Sequence, residues 1–192
     1  MKTLQVKIRG IAPMLMHNGQ LADPLNYYSK KLKLISSKRK KEDSDHYDMA
    51  HIEFMGSFWL NKDGQVIVPA YVLEACILSG AAKDKNKTAF KSTIMVSDPD
   101  PVLVYNGPKS VDDMWEDESF HFVSLVGVNG NKVRRTRPIF NDWSLSFDVI
   151  FDDNNVNEDA LKQAIEKAGR FNGIGDYRPK FGRFEVESFK IV

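Results

Sequence analysis

Cysteine is almost missing from this chain: Cys76 is the only one in 192 residues. That excludes a disulfide framework and any CxxC zinc site. No apolar run reaches the roughly 18 residues of a membrane-spanning helix. The opening MKTLQVKIRG alternates polar and apolar residues and has no signal-peptide apolar core. The expectation is a cytoplasmic protein with no membrane partner. Internal repeats are also missing, as are a Walker GK[ST] and an HExxH pair; His46 and His51 stand five apart. No cofactor and no metal are expected. What is present is 42% apolar residues, enough for a proper core, and the length suits one domain over residues 1–192.

Charge is balanced overall but not along the chain. Lys and Arg number 27 against 26 Asp and Glu, yet the first 96 residues carry 15 basic and 9 acidic side chains and the last 96 carry 12 and 17. The excess sits in KKLKLISSKRKK, residues 30–41, with Lys38, Arg39, Lys40 and Lys41 at its end. Such a run would meet phosphates in a salt-dependent way, or serve as a solvated loop. Asp112, Asp113, Glu116, Asp117 and Glu118 read as a solvated acidic loop that could also dock on a neighbouring subunit's basic segment.

Periodicity supplies the elements. Residues 3–11 alternate, with Leu4, Val6 and Ile8 on one face, as a half-buried strand does. Residues 12–43 read as irregular, then a helix from about Asp45 to Phe58 and a short hairpin over 59–68. Pro69 opens a buried helix over 70–82. Residues 120–128 and 132–137 form a hairpin about Asn129-Gly130-Asn131, and 143–151 is a strand with Trp143, Leu145, Phe147, Val149 and Phe151 inward. A helix over 157–168 is capped by Asn157 and ended by Gly169, and 184–191 is the last strand. Strand, helix, hairpin, helix, strand predicts an α+β protein with a ferredoxin-like (RRM-like) βαββαβ core and an antiparallel sheet. Residues 12–69 are then a large insertion after the first strand, holding the basic segment 30–41 and a helix-hairpin.

Two segments are candidates for binding. GIGDYRPKFGRF, residues 173–184, follows a helix and brings Gly173, Gly175, Arg178, Lys180 and Arg183 together, with Arg170 just before it. Glycines allow close approach of a ligand, and guanidinium forks suit phosphate oxygens. It can also be an ordinary helix-to-strand turn. In RRTRP, Arg135 and Arg137 share one strand face and Arg134 takes the other, giving a basic hairpin or a charge-guarded edge. His17, after the first strand, is the one histidine weighed as a general base; His46, His51 and His121 read as surface or satisfied residues, and Cys76 as packing. The outward sheet positions, Gln5, Lys7, Arg9, Ser144, Ser146, Asp148, Glu185 and Glu187, hold no aromatic pair for base stacking.

Three segments together resemble the RAMP superfamily of CRISPR effector proteins. IRGIAPMLMH resembles its first strand leading into a loop, VIVPAYVLEACILSGAAK its first helix, and GIGDYRPKFGRFEV its glycine-rich loop before the last strand. They cover about 45 residues in the family's order. Ala70-Tyr71 replaces the family's small residues, and Ala81-Ala82-Lys83 ends the helix without its arginine. The chain is also similar to small phage proteins. The resemblance implies a non-catalytic backbone-type subunit that self-assembles, as a homo-oligomer or filament, along single-stranded RNA or DNA. His17, the 30–41 insert and Arg170 to Arg183 would line its groove. Less directly, it leaves as alternatives a metal-independent endoribonuclease using His17, or a phage protein that mimics or inhibits a CRISPR complex subunit.

Overall fold

A computed structural model of the chain describes every residue except Asn129, so the first residue of the expected Asn129-Gly130-Asn131 turn lies outside the described residues. In chain order the elements are β1 (Lys2–Gly10), β2 (Met14–Leu15), α1 (Tyr27–Ser36), α2 (Asp43–Gly56), α3 (Ala70–Ala81), α4 (Lys87–Thr93), β3 (Ile94–Val96), β4 (Val104–Tyr105), α5 (Val111–Glu116), β5 (His121–Val128), β6 (Asn131–Phe140), β7 (Trp143–Phe151), α6 (Glu158–Phe171) and β8 (Phe184–Ile191). The protein is α+β with antiparallel sheets. It packs as two compact units. The first is Met1–Met14, Leu60–Asn106 and Phe140–Val192; the second is Leu15–Trp59 and Gly107–Ile139. The stretch read as an insertion, 12–69, is therefore divided between them.

In the first unit the sheet order is β3-β7-β1-β8, with β4 also on β7. Alternation puts Leu4, Val6 and Ile8 of β1, and Leu145, Phe147, Val149 and Phe151 of β7, in the core. Helix α6 forms because Asn157 accepts from the Ala160 N–H at 2.7 Å and Glu158 and Asp159 face its positive end. It buries Leu161, Ala164 and Ile165, and α3 buries Leu73, Cys76 and Ile77. The two helices pack closely at Gly80, where a Cβ would stand 1.9 Å from the Ala164 carbonyl oxygen. On the other face of the sheet, Lys7 pairs with Glu187 at 2.9 Å and Arg9 with Glu185 at 2.5 Å. A bulge in β8 opposite Lys7 and Ile8 keeps Val186 and Phe189 in register with Ile8 and Val6.

Two expectations are corrected here. The 120–137 hairpin forms, as β5 and β6, but it belongs to the second unit in a sheet of order β2-β6-β5. The strand beside β7 in the main sheet is β3, three residues that carry too little alternation to read. Residues 12–43 are also not irregular throughout: Asn26 caps α1 through the Tyr28 N–H at 2.9 Å, and α1 packs on α2 although it buries no residue fully.

Candidate nucleic-acid interface

The basic segment is half helix and half loop. Lys30, Lys31 and Lys33 lie on α1, while Lys38 to Lys41 form the connection to α2. Two of those four hold the loop. Lys38 Nζ donates to Asp45 Oδ1 at 2.5 Å, and Lys41 Nζ donates to the Lys38 carbonyl at 3.0 Å. Asp45 also accepts from the Glu42 N–H at 3.1 Å, closing a capping box at the start of α2. The ammonium of Lys38, then that N–H, hold the Asp45 carboxyl below the usual carboxylate range. Arg39 and Lys40 are exposed and make no ion pair among the described residues.

The β5–β6 hairpin shows the same division. Arg135 Nη1 donates to Glu53 Oε1 at 3.0 Å, and the other oxygen of this buried carboxylate accepts from the Thr136 N–H at 2.9 Å. Arg135 thus ties β6 to α2. Arg134, on the opposite strand face, is exposed, and Arg137 is half-buried beside the buried Thr136 and Pro138. His17 is half-buried just after β2, also in the second unit.

The glycine–arginine loop belongs to the first unit. Gly173 does not offer its N–H to a ligand, as the sequence suggests; it donates to the Ala168 carbonyl at 2.9 Å and ends α6. The loop's two legs run back to back. The Ile174 N–H donates to Gly182 O at 2.9 Å, and the Gly182 N–H to Pro13 O at 2.8 Å. A Cβ on Gly182, at φ +75°, would stand 1.7 Å from the Ile174 oxygen, so glycine is required by the chain's own backbone. Gly175 also has positive φ, as does Tyr177 at 55°. Arg183 Nε donates to Pro179 O at 2.8 Å, closing the tip. Arg178 and Lys180 are exposed without an ion pair among the described residues, and Arg170 sits in the last turn of α6, where a cation suits the helix end. Asn172, Asp176, Tyr177 and Arg178, with Ala75 and Ser79 of α3, border an open cleft of about 710 Å³. Cys76 lies beneath, its thiol donating to the Gly173 carbonyl at 3.4 Å. Burial pushes its pKa up to about 12, so it is not a thiolate nucleophile.

Sequence reading missed one cluster in the second unit. Trp115 stacks on His121 at 4.6 Å and 27°, meets His51 edge-on at 4.8 Å, and donates its indole N–H to Tyr47 Oη at 2.9 Å. His51 and His121 are therefore not isolated surface histidines. The signal was an i, i+4 pair, Tyr47 and His51, on α2, but its partners lie more than sixty residues away. Among the described residues no group of three or more His, Cys, Asp or Glu is placed to hold a metal ion, and no helix is long and apolar enough to cross a membrane. No protein-family model matches the chain, and no curated protein matches it.

Proposed function

We propose that this is a non-catalytic, single-stranded nucleic-acid-binding protein that self-assembles along RNA or DNA, built on a ferredoxin-like core of the RAMP type. Two helices on one face of a sheet ordered β3-β7-β1-β8, connected β1-α3-β3-β7-α6-β8, support the βαββαβ reading. The open sheet face is laced with Lys7, Arg9, Glu185 and Glu187, so binding is assigned to the connections rather than to stacking on strands. A stand-alone form would act in the cytoplasm, in a host cell if phage-encoded.

One observation carries the functional reading. In each basic segment some cations anchor the chain, while neighbours stay exposed and without an ion pair among the described residues: Arg39 and Lys40 beside Lys38, Arg134 beside Arg135, Arg178 and Lys180 beside Arg183. Anchored loops that present spare guanidinium and ammonium groups are suited to a phosphate backbone. The experiment is a gel shift with single-stranded RNA, single-stranded DNA and duplex at two salt concentrations, with electron microscopy of the complexes. Salt-sensitive binding to single strands and regular assemblies are expected. No shift at low salt would end the proposal, and metal-free RNA cleavage abolished by His17→Ala would replace it with a ribonuclease.

A further inference from the structure

The pocket beside Trp115 has a composition unlike the basic loops. It is a half-open pocket of about 470 Å³ within the second unit, a volume in the range of small-ligand sites. Asp43, His46, Tyr47 and Ala50 of α2 form one side, and Trp115 and Glu116 of α5 another; Glu118, His121 and Arg134 complete it. The wall is preorganised. Trp115 is fixed by its hydrogen bond to Tyr47 and its stack on His121, and the buried Phe54 backs both rings, at 5.2 Å from Trp115 and 4.8 Å from His121. His121 Nε2 is buried and has no hydrogen-bond partner among the described residues, so the ring meets the pocket by its other atoms.

We propose that this pocket takes one extruded guanine base of a bound single strand; the inference rests on the nucleic-acid reading above. A flat aromatic wall suits any base, so the polar groups decide which. Glu116 and Glu118 bring carboxylate oxygens, hydrogen-bond acceptors, to the pocket. The Watson–Crick edge of guanine presents two adjacent donors, N1–H and the N2 amine, which match the two oxygens of a carboxylate. Adenine and cytosine place a ring-nitrogen acceptor at the centre of that edge, facing the negative charge. Uracil and thymine offer one donor between two acceptors. The carboxylates also repel phosphate, so they admit a base edge and leave the backbone to Arg134 at the pocket and Lys132 on the same strand. A cationic side chain is the other conceivable guest, but Arg134 in the lining opposes it.

The test is fluorescence anisotropy with labelled oligouridines of about 12 nucleotides, within the span of single-strand sites. One carries a central guanine, one inosine, one adenine and one no substitution, and the deoxy series on oligothymidine runs in parallel. Guanine should bind about tenfold more tightly than the unsubstituted strand, by analogy with one bidentate base contact. Inosine, which lacks the N2 amine, should fall between. In Glu116→Gln/Glu118→Gln, two exposed positions, that preference should vanish while affinity for the unsubstituted strand is kept or increased. Equal binding of all four strands would overturn the base pocket and leave nucleic-acid binding standing. Loss of binding to every strand in the parent protein would overturn the underlying reading as well. Capture of hexa-arginine that depends on Glu116 and Glu118, without guanine preference, would show a cation pocket instead.

Discussion

Residues 172–183 hold their shape through backbone hydrogen bonds, whereas residues 37–42 hold theirs through lysine and aspartate side chains. In the first loop, Gly173, Ile174 and Gly182 spend their N–H groups on Ala168, Gly182 and Pro13. Arg178 and Lys180 are then surplus to its architecture. In the second, Lys38 and Lys41 are themselves the struts, through Asp45 and the Lys38 carbonyl. Charge alone does not tell a strut from a binding group. Neutralising all of 38–41 at once would mix folding with binding, while neutralising Arg178 and Lys180 would not.

The contrast breaks most severely at Gly182. Gly182→Val puts a Cβ into the Ile174 carbonyl and forces a β-branched residue to φ +75°, so a loss of about 3 kcal/mol or more is expected. Lys40→Ala, in the side-chain-held loop, should stay within about 0.5 kcal/mol. Denaturant titration of both variants checks this. Equal stability would mean that the glycine loop is not held by its backbone.

Next comes the hairpin, where one strand holds both kinds of arginine. Arg135→Ala leaves a buried Glu53 oxygen without its guanidinium and should cost about 1–3 kcal/mol. Arg134→Ala should cost no more than about 0.5 kcal/mol in stability and instead weaken single-strand binding. Melting and anisotropy on the same two proteins separate the roles; the reverse pattern would exchange them.

Long periodic elements were readable because their own residues specify them. The alternation in 143–151 locates β7 to the residue, and the Asn157 cap with the stripe Leu161, Ala164, Ile165 locates the start of α6; its end does not fall at Gly169, which is buried inside a helix that runs on to Phe171. Short elements were not. β3 has three residues, and α1 hides its cap, Asn26, before a run dominated by lysines. For the candidate site, the sequence shows which residues are basic but not which are anchored. The partner of Arg135 is 82 residues away, and the partner of the Gly182 backbone is another loop leg. The Trp115 cluster was illegible for the same reason, since α2 and the α5–β5 stretch, more than sixty residues apart, supply its rings.

A smaller effect is expected on the salt dependence of binding. Arg39→Ala/Lys40→Ala and Arg178→Ala/Lys180→Ala each remove two unanchored cations. If both cations of a pair meet phosphates, the log–log salt slope should flatten by about 1.4, at roughly 0.7 per contact on a single strand. Stability should hardly change, because exposed charges contribute little to folding. A flattened slope in one pair only would assign the groove to that loop, and an unchanged slope in both would leave the two segments as solvated surface.

The smallest expected effect concerns the acid side of stability and asks whether Lys38 is a strut at all. Its ammonium is the first cause of the lowered Asp45 pKa and the Glu42 N–H the second. A carboxylate whose folded pKa is depressed stabilises the fold above its unfolded value and loses that contribution as pH falls through the folded one. The Lys38 pKa is raised, chiefly by its hydrogen bond to Asp45, so its share is present below the ordinary lysine range and is lost only as pH rises through the raised value. Stability from this pair should therefore be level around neutrality and decline below the ordinary carboxylate range. In Lys38→Met the acid decline should shrink but persist, because Glu42 still donates to Asp45. In Asp45→Asn that component should disappear. Urea midpoints measured from neutral to acid pH on the three proteins decide the matter. A Lys38→Met profile that coincides with the parent's would show that Lys38 is as free as Arg39 and Lys40, and would return it to the set of residues available to phosphate.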